Sequence, residues 1–271
     1  MEIGVDTMLN NEKLLDVRFC EMFGEGNYFE DGLVRGKDID DDAKAWEEWN
    51  SSKVRVLLLL KEMYQNGFDK IRKWRPEITT ASPSGSPCFW KKLISWKTLL
   101  ETSKESNLAT ITFEEACLKS GQAVSLAPVG YVNCSKLLRN DCLKTKTSPK
   151  KFFKFVLEGG TYYGTKYYDS QKDLLKAQID NLNPTHILCC GKPIFEIYQA
   201  LYHGDLNWCS LEVRKNEGIG AIYVQRMRDA KGVRRVIPFY HPAYFRRPAE
   251  SFFKQLQEML FAHETKVHLE R

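Results

Sequence analysis

Short apolar runs recur along the chain, and the clearest of them lies at residues 54–60. The run Val54-Arg55-Val56-Leu57-Leu58-Leu59-Leu60 carries one charge and is followed at once by Lys61-Glu62-Met63-Tyr64. A short run that is rich in Val and Leu and ends abruptly in polar residues is typical of a strand buried on both faces, as in a parallel sheet. We therefore predict a central strand here, and a helix is the alternative that the short length of the run disfavours.

Further runs of this kind alternate with segments of helical period. The apolar runs predict additional strands at residues 127–134, 185–191, 219–226 and 234–242. Helical spacing of apolar residues predicts helices at residues 11–23, 43–49, 67–75, 89–97, 113–119, 170–182, 193–202 and 251–262. Strands that alternate with helices indicate an α/β fold. We expect a three-layer sandwich in which a central, mostly parallel sheet carries helices on both faces.

We expect a single domain over residues 1–271, in which two segments depart from the alternating pattern. Residues 1–50 predict a helical N-terminal extension. Residues 139–172 form an insertion that interleaves basic with aromatic side chains, among them Lys150, Lys151, Phe152, Lys154, Phe155, Lys166, Tyr167 and Tyr168. Such a segment suits contact with a nucleic-acid backbone, and a solvated subdomain is the alternative.

Composition and charge are those of an ordinary globular protein with a mild basic excess. The 271 residues include 43% hydrophobic and 28% charged residues, with a formal net charge of +5. A chain of this length can bury a sizeable core, and its positive charge permits a polyanionic partner without requiring one. No stretch has the pattern of a signal peptide or an apolar run of membrane length. We therefore expect a cytoplasmic protein with no membrane partner and no obligate protein partner.

The cysteines give no sign of a metal centre. The eight cysteines are scattered, without a CxxC motif or a Cys/His pairing at zinc spacing. Free thiols in a reducing compartment are the expected state, and an iron–sulfur cluster is the alternative. The acidic run at residues 38–42 lacks the glycine and the terminal glutamate of a calcium loop, so we interpret it as the start of a helix. We expect no metal and no cofactor.

Polar side chains follow three of the predicted strands. Glu62 comes after the first strand, Asn133 closes the second and His241 is delivered by the last. Because the carboxyl ends of parallel strands joined by right-handed crossovers share one edge, a carboxylate, a carboxamide and an imidazole should converge there. The chain has no serine elbow, P-loop or GxGxxG motif, so acyl transfer, nucleotide hydrolysis and Rossmann-type cofactor binding lack support.

The order and spacing of these motifs resemble the uracil-DNA glycosylase superfamily over residues 50–262. The segment Leu60-Lys61-Glu62-Met63-Tyr64 resembles the first motif, Tyr131-Val132-Asn133 the base-reading strand, and Phe239-Tyr240-His241-Pro242-Ala243 the strand that delivers His-Pro. Residues 174–191 resemble the penultimate βα unit. The chain departs from the family at positions 60, 61 and 63 of the first motif and at Tyr244. A register shifted by one residue matches Glu62 to the glutamate of the iron–sulfur branch, whose cysteine framework this chain lacks.

The resemblance implies a monofunctional DNA glycosylase that flips a pyrimidine out of the stack, hydrolyses its N-glycosidic bond and leaves an abasic site. Glu62 would orient the attacking water and stabilise positive charge on the sugar. His241 would donate a hydrogen bond to the carbonyl oxygen of the departing base. Asn133 would bind the Watson–Crick edge, and its carboxamide can face uracil or, turned over, cytosine.

The resemblance also implies roles for residues around the pocket. Phe89 or Trp90 would stack on the flipped base, Tyr64 would form a pocket wall and Lys61 would contact substrate. After His241 in the sequence, Tyr244 or Phe245 would enter the vacated base stack, and Arg246 and Arg247 would neutralise flanking phosphates. For each residue, ordinary packing or solvation is the alternative.

Three alternatives remain at the level of function. The first is a glycosylase for bulky modified cytosines of phage DNA, acting in antiphage defence rather than in DNA repair. The second is a catalytically silent DNA-binding module of the same fold. The third is a hydrolase of small nucleosides or nucleotides, against which a steep salt dependence of DNA binding would argue.

Overall fold

A computed structural model describes residues 4–35, 41–61, 87–102, 111–119, 122–123, 128–137, 148–162, 166–202, 209–211, 222–226, 233–242 and 248–269. Within these ranges the helices are α1 Val5–Phe23, α2 Asp42–Ser51, α3 Pro87–Thr102, α4 Phe113–Cys117, α5 Pro149–Glu158, α6 Lys172–Leu182, α7 Lys192–Leu201 and α8 Ala249–Leu269. The strands are β1 Gly32–Val34, β2 Val56–Leu60, β3 Leu118–Lys119, β4 Gln122–Ala123, β5 Val129–Asn133, β6 Gly160–Thr161, β7 Tyr167–Tyr168, β8 His186–Cys190, β9 Cys209–Leu211, β10 Ile222–Arg226 and β11 Val233–Phe239.

In the described part of the chain the main sheet has seven strands, in the order β1-β5-β2-β8-β11-β10-β9. Its centre is parallel, because β2 pairs in parallel with both β5 and β8, and β8 pairs in parallel with β11. Antiparallel strands flank this centre, with β1 on β5 at one side and β10 and β9 beyond β11 at the other. The predicted α/β fold with a mostly parallel sheet is therefore confirmed.

Helices cover both faces of the sheet, which explains why β2 is apolar throughout. Leu57 and Leu59 pack into one core cluster with α1, α2, α5, α6 and α7. Val56, Leu58 and Leu60 pack into the other, with α3, α4 and α8. Successive side chains of a strand alternate between faces, so both sets of β2 side chains face a core and all five are apolar. Full burial of each of these Val and Leu side chains contributes about 1.5–3 kcal/mol.

The N-terminal segment is built into this core. β1 pairs with β5 and is the outermost strand on that side of the sheet. The Trp49 indole on α2 donates a hydrogen bond of 2.7 Å to the carbonyl of Leu182 at the end of α6. Phe19 and Phe23 on α1 are fully buried in the cluster on that face. Residues 4–35 and 41–51 therefore contribute to the same core as the sheet.

The basic, aromatic segment contains a helix that the sequence analysis did not predict. Ser148 caps α5 by accepting a hydrogen bond from the amide of Lys151, and Pro149 occupies the first turn. Phe155 stacks on Tyr162 with ring centroids 4.3 Å apart, which packs the β6–β7 hairpin on α5. The lysines of α5 are exposed, so its aromatic face is core and its basic face is surface.

Most of the other predicted elements are present. The helices predicted at 11–23, 43–49, 89–97, 170–182, 193–202 and 251–262 overlap α1, α2, α3, α6, α7 and α8. The strands predicted at 127–134, 185–191, 219–226 and 234–242 correspond to β5, β8, β10 and β11. Each observed strand is shorter than predicted, and β11 begins one residue earlier, at Val233. The predicted helix at 113–119 ends at Cys117, and its last two positions belong to β3. The predicted helix at 67–75 lies outside the described residues. None of the helices in the described ranges has the length and apolarity that crossing a membrane requires.

Candidate functional site

The carboxyl ends of the four parallel strands form one edge of the sheet, and three predicted site residues lie there. Lys61 directly follows β2, Asn133 is the last residue of β5 and His241 is the second residue after β11. The amide of Ser135 donates to the Lys61 carbonyl at 3.0 Å, which joins the segments after β5 and β2. The amide of Gly191, after β8, donates to the Phe239 carbonyl at 2.8 Å. The edge is thus a continuous surface from β5 to β11.

Several predicted site residues lie outside the described part of the chain. These are Glu62, Tyr64, Tyr244, Phe245, Arg246 and Arg247. Phe89 and Trp90 belong to the first turn of α3, but their side chains are not among those described. Their roles stay predictions. Lys61 directly precedes Glu62, so the described chain reaches the edge one residue before the predicted acid.

His241 lies in a partly buried, positively charged environment. Its pKa is lowered to about 4, first by burial and then by the positive charges of Lys61 and Lys92. Both effects oppose protonation, because a second positive charge is disfavoured where water is excluded and cations are near. The imidazole is therefore neutral at neutral pH. It can donate a hydrogen bond from one ring nitrogen and accept one at the other.

Lys92 is a residue of this site that the sequence analysis missed. It lies on α3 with only 1% of its surface exposed. Its Nζ donates to the carbonyl of Pro242 at 3.1 Å and lies 4.8 Å from the centre of the Phe252 ring. Helical spacing in the sequence could have indicated that Lys92 is buried. Positions 92, 96 and 99 share one face of α3, and Trp96 and Leu99 make that face apolar. A lysine on a buried helix face is unusual unless it is paired.

Lys61 is held beside the edge by the segment that the sequence analysis treated as an insertion. Its Nζ lies over the ring of Phe152 on α5, 4.9 Å from the ring centroid. A cation over an aromatic face contributes about 0.5–2 kcal/mol, depending on how far water is excluded. Phe152 is itself fully buried, so the ring is a fixed platform. α5 therefore lies next to the site and contacts the Lys61 ammonium.

Asn133 belongs to a buried polar cluster on the β1 side of the edge. Its backbone amide and its Nδ2 both donate to Oδ2 of Asp31, at 2.7 and 3.1 Å. Turning the carboxamide over would bring its oxygen against this carboxylate, so Asp31 fixes its orientation. Oδ1 of Asn133 is buried and has no hydrogen-bond partner within the part of the chain described. An acceptor left in this state costs about 1–3 kcal/mol.

Asp31 also forms a fully buried ion pair with Lys136, just beyond β5. Neither side chain has any exposed surface. Nε2 of Gln178 on α6 donates to Oδ1 of the same carboxylate at 3.1 Å. Burial lowers the pKa of Lys136, and the charge and hydrogen bond of Asp31 oppose that shift. The pair connects the segment before β1 to the end of β5, where Asn133 lies.

The described residues offer no evident metal centre. No group of three or more His, Cys, Asp or Glu side chains that could hold a metal ion occurs among them. Burial raises the pKa of three cysteine thiols, which favours their protonated form: Cys134, Cys189 and Cys190.

Comparisons with known proteins give no assignment. No protein-family model matches the chain, and no curated protein matches it. The site itself therefore carries the functional conclusion. A neutral imidazole follows β11, the charges of Lys61 and Lys92 act on it, and an oriented carboxamide lies at the end of β5.

Proposed function

We propose that the protein is a monofunctional DNA glycosylase that hydrolyses the N-glycosidic bond of a damaged or modified pyrimidine flipped out of DNA. The observation that carries the proposal is the environment of His241. The charges of Lys61 and Lys92 that disfavour an imidazolium also favour a negative charge placed beside the imidazole. Such an environment suits a leaving group that departs as an anion.

The chemistry divides into three tasks. When the bond between sugar and base breaks, the base carries negative charge and the sugar carries positive charge. The neutral His241 donates its N–H to the carbonyl oxygen of the base. This hydrogen bond stabilises the developing negative charge, and the imidazole does not need to give up its proton. A fixed donor of this kind contributes roughly 10²–10³ in rate in other enzymes. Glu62, one residue beyond Lys61, orients the water and faces the cationic sugar.

Asn133 reads the base in this proposal. Asp31 fixes the carboxamide with its nitrogen toward β1. Oδ1, which has no hydrogen-bond partner among the described residues, is the acceptor that would receive an N–H group of the base. A buried acceptor without a partner gains most from a ligand that supplies a donor. Uracil and cytosine derivatives both have a donor on the Watson–Crick edge, so the assay must include both classes.

DNA is the proposed partner because a basic surface adjoins the site. α5 exposes Lys150, Lys151 and Lys154 and touches Lys61 through Phe152. Lysines in the first turn of a helix oppose the helix dipole, so they gain from an anionic partner such as a phosphate. The likeness of the strand-end motifs to the uracil-DNA glycosylase superfamily supports the same proposal.

The test is base release from defined DNA. Duplexes and single strands that contain uracil or hydroxymethylcytosine, and glucosylated phage DNA, are incubated with the protein, and alkali-labile abasic sites are scored. We expect abasic sites in at least one of these DNAs. His241→Ala and Glu62→Gln should lower release at least 100-fold while DNA affinity stays within about twofold. Glu47→Gln, at an exposed position of α2, is the control that should retain full activity.

Two outcomes would contradict the proposal. Full base release by His241→Ala would remove the histidine from the mechanism. DNA binding without abasic sites in any of the DNAs would favour the catalytically silent binding module. Release confined to hydroxymethylated or glucosylated DNA would assign the modified pyrimidines of phage genomes as the substrate class.

A further inference from the structure

The turn that carries His241 is held from both sides by helices of one face of the sheet. On the N-terminal side, the Tyr240 ring contacts Phe252 on α8 with ring centroids 4.9 Å apart, and Phe239 contacts Trp96 on α3 at 4.9 Å. On the C-terminal side, the Pro242 carbonyl accepts the hydrogen bond from Lys92 on α3. The backbone of His241 therefore lies between an aromatic anchor and a polar one.

The polar anchor is unusual in its chemistry. A buried ammonium loses its hydration, which costs free energy unless polar or aromatic groups replace the water. The Pro242 carbonyl and the face of Phe252 contribute to that replacement. An uncharged side chain of similar length would fill this space without the cost of desolvation. Lys92 therefore brings to the turn both a hydrogen-bond donor and a positive charge, which a neutral side chain would not do together.

We propose that Lys92 is a positioning residue for His241, which fixes the His241–Pro242 turn through the Pro242 carbonyl and supplies positive charge beside the imidazole. Lys92 is 1% exposed and does not need to touch DNA to do this. Its consequence for catalysis rests on the proposed function. Its effect on the imidazole does not, and can be measured in the absence of any substrate.

The charges around His241 come from different elements. Among the described residues, the cations that lower its pKa are Lys61, after β2, and Lys92, on α3. α8 contributes the uncharged ring of Phe252, and the titratable side chain of Tyr240 directly precedes His241. Burial is the largest cause of the lowered pKa. Removing Lys92 should therefore raise the pKa of His241 only part of the way to its ordinary value.

Three variants separate the charge from the hydrogen bond and from general stability. Lys92→Met removes both the charge and the donor while it keeps the length of the side chain. Lys92→Gln keeps a donor and removes the charge. Lys97→Met is the matched control, because Lys97 lies on the same helix, is 4% exposed and pairs with Glu101 at 2.8 Å rather than with the turn.

The first measurement is an NMR titration of the imidazole, with the His241 signal assigned by its loss in His241→Asn. We expect a pKa of about 4 in the unaltered protein. In Lys92→Met and Lys92→Gln it should rise by about one unit, the low end of the effect of one neighbouring charge. Lys97→Met should leave it unchanged. An equal pKa in the Lys92 and Lys97 variants, or an ordinary pKa in the unaltered protein, would overturn the inference.

The second measurement is the pH dependence of base release. In Lys92→Met the acid limb of kcat/KM should move to higher pH by the same amount as the NMR pKa, with kcat reduced and the KM for DNA unchanged. An altered titration in a protein that releases no base refutes the proposed function and leaves this inference standing. Base release together with an unaltered titration refutes this inference and leaves the proposed function standing. If Lys92→Met does not fold, Lys92→Gln carries the test.

Discussion

Removing one member of the Asp31–Lys136 pair tests how the Asn133 end of the site is held. Both side chains are fully buried, and the Asp31 carboxylate also accepts two hydrogen bonds from Asn133 and one from Gln178. Lys136→Met removes the ammonium that pairs with this carboxylate, while the carboxylate stays fully buried. Breaking a buried pair in this way costs about 3–5 kcal/mol. The exposed pair Lys154–Glu158 should be worth about 0.3–0.5 kcal/mol by comparison.

The assay is denaturant unfolding, with thermal unfolding as a second measure. Each kcal/mol lowers the Tm by about 2–4 °C for a domain near this size, so Lys136→Met should lower it by roughly 6–20 °C. Lys154→Met is the control and should change it by about 1–2 °C at most. The double variant Asp31→Asn with Lys136→Met should recover much of the loss, because no charge is then buried and an acceptor for the Asn133 amide remains. A loss below about 1 kcal/mol in Lys136→Met, or no recovery in the double variant, would refute the reasoning.

Three further predictions concern other parts of the molecule. Gly159→Ala should lower the free energy of unfolding by about 1–3 kcal/mol or more, measured by denaturant unfolding. The φ angle of Gly159 is +78°, and a Cβ there would lie 2.6 Å from the Tyr168 carbonyl oxygen. Gly4→Ala, where a Cβ meets open space, should leave the stability nearly unchanged. If the base departs as an anion, single-turnover release should accelerate along a series of 5-substituted uracils as their N1 acidity rises, and a flat series would contradict this. Thiol reagents should modify Cys20 in the native protein well before Cys134, Cys189 and Cys190, because burial raises the pKa of these three thiols. Equal modification rates would contradict the core packing.

The central sheet could be predicted because its strands are defined locally. β2 is apolar throughout, and β5, β8 and β11 each contain a short apolar run, because both faces of these strands are covered; such runs can be read without knowledge of the neighbouring strands. β1 is three residues long and is a strand only because it pairs with β5, about a hundred residues away. α5 is an intermediate case. Phe152, Phe155 and Val156 have helical spacing, but the surrounding lysines favoured an interpretation as a surface insertion.

The site residues also divide into those whose positions the sequence predicts and those whose positions depend on tertiary packing. That Lys61, Asn133 and His241 meet at one edge follows from the order of parallel strands. That Lys92 meets Pro242, and Asp31 meets Asn133, does not follow from any local pattern, because these pairs are 150 and 102 residues apart. Both contacts involve a charged side chain that is buried by tertiary packing. The sequence marks Lys92 by its place on an apolar helix face, whereas nothing near Asp31 marks it as buried.

The electrostatics of the edge decide between two ways of using His241. A pKa of about 4 leaves roughly one imidazole in a thousand protonated at pH 7, which is poorly suited to general acid catalysis. A neutral imidazole can still donate a hydrogen bond, and the charges of Lys61 and Lys92 strengthen the stabilisation of an anion beside it. Lys136 adds little here, because Asp31 pairs with it at the other end of the edge. The arrangement therefore favours holding a base that leaves with its negative charge over protonating it as it leaves.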